Sequence, residues 1–167
     1  ALDQLFAAAH VFGTGKRLTG ERIAIVTNGG GPGVLAADRI SELGMNLAQL
    51  SEATRTTLEG ALPDNWSHGN PVDVIGDTPG RGYCIALEAC LADPGVDGVL
   101  AILAPLATVD PTAVAQRVID IAKKSAKPVL ACWMGATRVA EAQTLFAEAR
   151  MPHFDTPEDA VEAFSFL

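Results

Sequence analysis

Three long apolar runs most constrain how this chain can fold. Residues 22–28, 96–104 and 128–134 read RIAIVTN, VDGVLAILA and PVLACWM, with apolar side chains at successive positions. A strand that is apolar on both faces has to be buried on both faces, which is typical of a parallel sheet covered by helices. Segments with helical spacing of apolar residues separate these runs. The order predicts an α/β fold, a three-layer, doubly wound, five-stranded parallel sheet of the flavodoxin-like type.

The remaining elements follow from periodicity and from end signals. Ser51, Asp110 and Thr156 occupy N-cap positions, and Gly44 a C-terminal cap position, of predicted helices. Residues 2–12 form a short helical pattern with Leu2, Leu5, Phe6 and Ala9 on one face. The pattern predicts helices at 2–12, 33–43, 52–62, 83–93, 110–125, 136–150 and 156–167, and short strands at 46–50 and 152–154.

The start of the chain indicates how it is divided. It opens on Ala1 rather than Met, in the middle of a helical pattern. We therefore expect a piece of a longer protein. Residues 1–20 are predicted to be the tail of a preceding domain or a linker helix, and residues 21–167 one flavodoxin-fold domain.

Charge and cysteine content exclude several classes of function. The formal net charge is −8, and no run of basic residues exceeds the pairs Lys16–Arg17 and Lys123–Lys124. Nucleic acid and anionic membrane surfaces are therefore excluded as partners, since both need a basic surface. The three cysteines form no Cys-x-x-Cys pair, which argues against zinc and against a disulfide framework. Buried free thiols in a reducing cytoplasm are expected.

A glycine-rich segment follows the first strand. It contains Asn28, Gly29, Gly30, Gly31 and Gly33, and it matches neither the dinucleotide fingerprint nor the P-loop, since no lysine follows and Val34 replaces the third glycine. Two interpretations stay open. Free backbone N–H groups at the following helix N-terminus bind an anion, or the segment is only a tight turn from strand to helix.

A second glycine- and proline-rich stretch covers residues 63–82, and it is predicted to be irregular. It reaches the same carboxyl edge of the sheet, where ligands bind in such folds. Its candidate residues are Asn70 and Asp73 as braces of the loop, and Gly76, Asp77 and Thr78 before the next helix. His68 is interpreted as a solvated loop residue rather than a catalytic one.

Three segments together resemble a known family. VTNGGGPGVLAAD, LPDNWSHGNPVDVIGD and DPGVDGVLAILAP, in this order and spacing, resemble the nucleoside-diphosphate-forming acyl-CoA synthetases, relatives of succinyl-CoA synthetase that include the ADP-forming acetate–CoA ligases. The resemblance extends from about Glu21 to the end. It implies the second ligase-type flavodoxin-fold domain of such an enzyme.

The resemblance also implies a chemistry for the whole enzyme. Acyl-CoA and phosphate give acyl phosphate, and the phosphoryl group passes through a histidine to ADP. CoA, ATP/ADP and Mg are then cofactors of the parent protein and not of this chain, whose partners would be the CoA-binding, phosphohistidine and ATP-grasp domains. The family's SHTG-like loop is absent here, so no catalytic residue is carried over. The resemblance implies a phosphohistidine or phosphate site at Asn28, Gly29, Gly30, Gly31, Gly33, Gly76, Asp77 and Thr78.

Two alternatives of other classes remain at this point. In one, the chain is part of an acetyl-CoA-sensing regulatory region in a protein lysine acetyltransferase, as in some members of the family. In the other, it is a stand-alone flavodoxin-like module that binds a nucleotide or a flavin. The low aromatic content, 5%, disfavours flavin, because Trp or Tyr commonly stacks on the flavin ring and only Trp66 is suitably placed.

Overall fold

The computed structural model describes residues 2–75 and 80–167. Strands and helices alternate along these residues, as the apolar runs predicted. The elements are α1 Leu2–Phe12, β1 Arg22–Thr27, α2 Gly30–Glu42, β2 Asn46–Leu47, α3 Glu52–Ala61, β3 Val72–Asp73, α4 Arg81–Ala92, β4 Gly98–Leu103, α5 Pro111–Lys124, β5 Val129–Trp133, α6 Ala140–Glu148, β6 His153–Phe154 and α7 Pro157–Phe164. A short 3-10 turn, Ala136–Val139, precedes α6 and interrupts the helix predicted over residues 136–150.

All strand pairs are parallel, in the order β2–β1–β4–β5–β6. Strand β3, which is not in this order, also pairs with β1. Strand β4 pairs along one side of β1, so both β2 and β3 lie along its other side. There β2 pairs with Arg22 and Ile23, and β3 pairs with Val26 and Thr27. Over the described residues the sheet thus has five positions in the flavodoxin order, one of them shared by two short strands. The doubly wound parallel fold is confirmed, and the irregular stretch predicted at residues 63–82 contains a strand that was not predicted.

Helices cover both faces of the sheet. Along β1, Ala24 and Val26 pack with α3, α4, α5 and α6, whereas Ile23 and Ile25 pack with α2 and α7. The alternation follows from the two-residue period of a strand, and the central strands β1, β4 and β5 are buried almost throughout. This arrangement gives three layers with an aliphatic core on each face of the sheet.

The predicted helix ends are confirmed where the sequence carries a cap. Ser51, Asp110 and Thr156 each accept a hydrogen bond from the first turn of α3, α5 and α7, respectively. Gly44 follows α2 with φ +73°, the left-handed conformation that glycine adopts most readily. These local signals fix the ends of the helices independently of the core.

Helix α1 contacts the domain differently from its predicted face. Val11 is buried against the layer of α2 and α7, while Leu2, Leu5 and Phe6 are 65–67% exposed. The division at residue 20 stays a prediction. In the described part of the chain no helix is long and apolar enough to span a bilayer.

Candidate functional site

The glycine-rich segment forms the junction between β1 and α2. Gly29 is the N-cap in an extended conformation, and α2 begins at Gly30, three residues earlier than predicted. The hydroxyl of Thr27 accepts from the N–H of Gly29 at 3.0 Å and donates to its carbonyl at 2.8 Å. The next N–H groups belong to Gly30 and Gly31, because Pro32 has none. Helix geometry gives N–H groups of the first turn no acceptor within the helix.

The four glycines differ in the space around them. A side chain at Gly29 would lie 3.1 Å from the Ala104 methyl, and one at Gly33 would lie 3.0 Å from the Thr27 methyl, so these two permit close packing. Gly30 and Gly31 are exposed, and a Cβ at Gly31 would meet nothing within 4 Å. Gly29 and Gly33 thus allow close packing at the turn, whereas Gly30 and Gly31 present open backbone. Anion binding by any of the four glycines stays a prediction.

Asn28 joins the carboxyl ends of β1 and β4. Its side-chain oxygen accepts from the N–H of Ala104 at 2.6 Å, and its amide donates to the carbonyl of Ala104 at 3.1 Å. The residue is 6% exposed. This reciprocal pair continues the sheet by one side chain at the point where the strand order reverses, the usual ligand-binding crevice of such sheets. Asn28 is one of the residues predicted at the anion site, and its side chain is bonded to Ala104 within the fold.

Asn70 fills the gap between the two short strands beside β1. Its side-chain oxygen accepts from Ile25 N–H at 2.9 Å, and its amide donates to the carbonyls of Ile23 and Ala48, both at 2.9 Å. These groups lie where the β2 pairing ends and the β3 pairing has not yet begun, and the Ile23 carbonyl also accepts from Ala48 N–H at 2.9 Å. The side chain thus gives a partner to the Ile25 N–H and to the Ala48 carbonyl, and a second donor to the Ile23 carbonyl.

Asp73 places a carboxylate beside the start of α2. One oxygen accepts from Ile75 N–H at 2.9 Å, and the other would lie 3.3 Å from a Cβ at Gly30. A negative charge there is favoured by the helix dipole, and it also limits how an external anion approaches. Ser67, which the sequence analysis did not select, accepts from Asp73 N–H at 2.9 Å and donates to the Pro71 carbonyl.

The remaining candidates Gly76, Asp77 and Thr78 lie outside the described residues. Helix α4, which they precede, begins at Arg81 after Gly80. A second anion-binding helix start at this edge therefore stays a prediction. Among the residues that are described, no group of three His, Cys, Asp or Glu side chains is arranged to hold a metal ion.

The cysteines are buried and free. Burial raises the pKa of both Cys90 and Cys132 to about 12. A thiol with so high a pKa is protonated at neutral pH and is a poor nucleophile. The expectation of buried free thiols is confirmed, and thiol catalysis is not supported.

His68 is held between two acceptors, a feature that could not be read from the loop sequence. Its Nδ1 lies 2.8 Å from the Glu59 carboxylate, and its Nε2 lies 2.7 Å from the Asp64 carbonyl. Both nitrogens can donate only in the imidazolium form. The hydrogen bond with Glu59 and that with the Asp64 carbonyl accordingly raise the pKa of His68.

We expect the contribution of His68 to stability to depend on pH. A folded-state pKa above the unfolded value of 6.5 stabilises the fold fully below pH 6.5, and this contribution disappears as pH rises through the folded-state pKa. The His68→Gln variant should therefore lose more stability at about pH 5.5 than at about pH 8.5. Urea denaturation of both proteins at the two pH values measures this difference, and Glu59→Gln should reproduce it. An equal loss at both pH values would contradict the imidazolium assignment.

Comparison with known proteins supports the family that the three sequence motifs resemble. The profile of the Ligase-CoA domain family matches residues 23–164. The α subunit of the ADP-forming acetate–CoA ligase II of Pyrococcus furiosus is 37% identical over 97% of this chain and 36% of its own length. The ADP-forming acetate–CoA ligase I of Archaeoglobus fulgidus is 36% identical over 87% of this chain and 20% of its own length.

Solved structures agree with these relatives. The acetyl-coenzyme A synthetase 1 of Candidatus Korarchaeum cryptofilum, in complex with phosphate and ADP, has a TM-score of 0.92 and 30% identity over 99% of this chain and 36% of that chain. This chain thus spans about a third of that synthetase and of the Pyrococcus relative. None of these names favours the acetyltransferase or the flavin-binding alternative. Because the profile covers residues 23–164 and these relatives match most of the chain, this chain belongs to the Ligase-CoA domain family.

Proposed function

We propose that this chain is the ligase-CoA domain of an ADP-forming acyl-CoA synthetase acting on acetate or another small carboxylate. Within that enzyme, the first turn of α2 donates backbone N–H groups to the phosphoryl group of the phosphohistidine. The observation that carries the proposal is the open space at Gly31, where a Cβ would meet nothing within 4 Å. The relatives named as ADP-forming acetate–CoA ligases support the reaction class.

The physical basis is anion binding by a helix N-terminus. A phosphoryl group on histidine carries its negative charge on exposed oxygens, and N–H groups at a helix start bind such oxygens without a basic side chain. Gly30 and Gly31 let the oxygens approach the backbone closely, because neither carries a side chain that would cover the N–H groups. Asp73, beside Gly30, limits the approach on its side, so the open approach is over Gly31.

In this proposal the chain binds the negatively charged phosphoryl group, and the covalent bonds form and break on groups that other domains supply. CoA and ADP would bind to the remainder of the parent protein, as would Mg, since the described residues offer no three-ligand group. Gly76, Asp77 and Thr78 are proposed as a second helix start facing the same phosphoryl group. We also place the parent in the cytoplasm, where free thiols such as those of this chain persist.

A Gly31→Val variant of the full-length synthetase tests the proposal. A Cβ at this position meets nothing within 4 Å in the isolated domain, so we expect the variant to keep its stability. In the complete enzyme it would cover the N–H groups of the first turn, and we expect histidine phosphorylation by acyl-CoA and phosphate to slow by about 100-fold. Radiolabelled phosphate incorporated into histidine measures the rate.

Gly60→Ala supplies the matched control. Gly60 lies in α3, is exposed, and has open space like that at Gly31. Its replacement should leave phosphorylation unchanged. If Gly31→Val phosphorylates as fast as Gly60→Ala, the first turn of α2 takes no part in the mechanism. If neither variant nor the parent forms phosphohistidine, the reaction class itself is wrong.

A further inference from the structure

Cations that are far apart in the sequence gather at the amino-terminal edge of the sheet. Lys16, Lys123 and Arg150 line one cavity of about 290 Å³, between the end of α5, the end of α6 and the start of β5. Among the described residues that line it there is no Asp or Glu. In a chain with 20 acidic and 12 basic residues, this grouping of three like charges needs an explanation.

Apart from Thr14, the side chains that line the cavity between these cations are apolar. Ile119, Val129, Leu130 and Met151 line it, and none of them carries a polar side-chain group that could pair with the cations. The cavity has the combination that is typical of small-molecule sites, an apolar wall with a few convergent charged groups. Its ligand should accordingly have an apolar body and one anionic group.

Lys16, in the segment after α1, is one of the residues that line this cavity. Its ammonium donates to the carbonyl of Ala122 at 2.6 Å, near the end of α5. The described residues give it no ion pair, and partial burial lowers its pKa. A cation at a helix C-terminus also neutralises the helix dipole, but that role requires no open apolar cavity.

Arg150 is strained in a way that helix termination does not require. It follows α6 with φ +55°, and the pair of bonds Arg150 N–H to Ala147 O and Met151 N–H to Phe146 O ends the helix. Helix α2 ends with the same pair of bonds, with Gly44 at the equivalent position. Glycine is the residue that adopts this conformation without strain, so an arginine there costs stability. The helix end by itself therefore does not account for an arginine at this position.

We propose that this cavity binds a small organic anion, a carboxylate or phosphate monoester on an apolar body. Its charged group would lie between Lys16, Lys123 and Arg150, and its body against Val129 and Met151. The cavity lies at the opposite edge of the sheet from Gly31, since it borders the start of β5 and the proposed phosphoryl site follows the end of β1. The proposal therefore stands independently of the proposed function, and a ligand here would act at a second, non-catalytic site.

Titration with benzoate and with phenyl phosphate tests this, with inorganic phosphate as the comparison. We expect saturable changes in the backbone amide signals of Val129, Leu130 and Met151 in nitrogen–proton correlation spectra of the 167-residue chain. Lys16→Gln and Arg150→Gly should each weaken binding by about tenfold, through loss of a charge-assisted contact. Arg55→Gln, which removes an exposed cation on α3 outside the cavity, should bind as the unmodified chain does.

Arg150→Gly also separates binding from structure. Glycine suits the left-handed position better, so this variant should melt at or above the temperature of the unmodified chain while it binds more weakly. Three results would overturn the proposal: no saturable change with either organic anion up to about 20 mM, benzoate binding no tighter than inorganic phosphate, or equal weakening by Arg55→Gln.

Discussion

Replacing Asn70 by alanine is expected to lower the free energy of unfolding by about 3 kcal/mol, because two backbone groups lose their partner and a third loses one of its two donors. The side chain makes three hydrogen bonds at 2.9 Å, to Ile25 N–H and to the carbonyls of Ile23 and Ala48. An alanine takes away the partner of the Ile25 N–H and of the Ala48 carbonyl, whereas the Ile23 carbonyl keeps its bond from Ala48 N–H. The loss falls at the edge of the buried strand β1, where Ile25 has no exposed surface. Urea denaturation of both proteins measures the difference.

A neighbouring asparagine provides the control. Asn65 lies in the same loop and is exposed, so Asn65→Ala should change stability by less than about 0.5 kcal/mol. Amide hydrogen exchange gives a second measurement, since the Ile25 N–H should exchange faster in Asn70→Ala than in Asn65→Ala. Equal stabilities of the two variants would mean that water replaces Asn70 at this edge without loss.

The fold was predictable because its signals are local or periodic. The apolar runs at β1, β4 and β5 need no partner to be recognised, and the cap residues Ser51 and Asp110 act within four residues of themselves. The same reliance on local signals placed the start of α2 three residues too late. Two glycines and a proline predict a turn, although proline is tolerated in the first turn of a helix and glycine there is only weakly unfavourable.

What could not be predicted depends on contacts between distant residues. Strand β3 has two residues, too few for a periodic signal, and the bond from Asn70 to Ile25 spans 45 positions. The cations of the cavity beside the start of β5 come from positions 16, 123 and 150, so the sequence shows only the pairs Lys16–Arg17 and Lys123–Lys124. Periodicity also gave α1 an apolar face at Leu2, Leu5 and Phe6, but it does not say what covers that face, and the face is exposed.

Replacing Trp133 by alanine is expected to cost about 4 kcal/mol of stability, the range for removing a large buried aromatic side chain. Trp133 is 1% exposed, and its ring meets Phe146 edge-on at 4.8 Å and Tyr83 at 6.2 Å between centroids. The cavity left by alanine would lie between β5, α4 and α6, and the packed aromatic rings around it could close it only in part. Chemical denaturation checks this value.

The two buried tryptophans allow the hydrogen-bond part of that cost to be measured separately. Trp133 donates from its indole nitrogen to the Pro111 carbonyl at 2.9 Å. The indole of Trp66, which is 2% exposed, interacts with the Glu59 carboxylate but makes no bond of that geometry among the described residues. Trp→Phe removes a similar volume at both sites, so Trp133→Phe should cost about 1 kcal/mol more than Trp66→Phe. Equal costs would mean that the bond to Pro111 contributes nothing net. The loss in Trp133→Ala would then come from packing alone, and the first turn of α5 would not depend on the indole for its position.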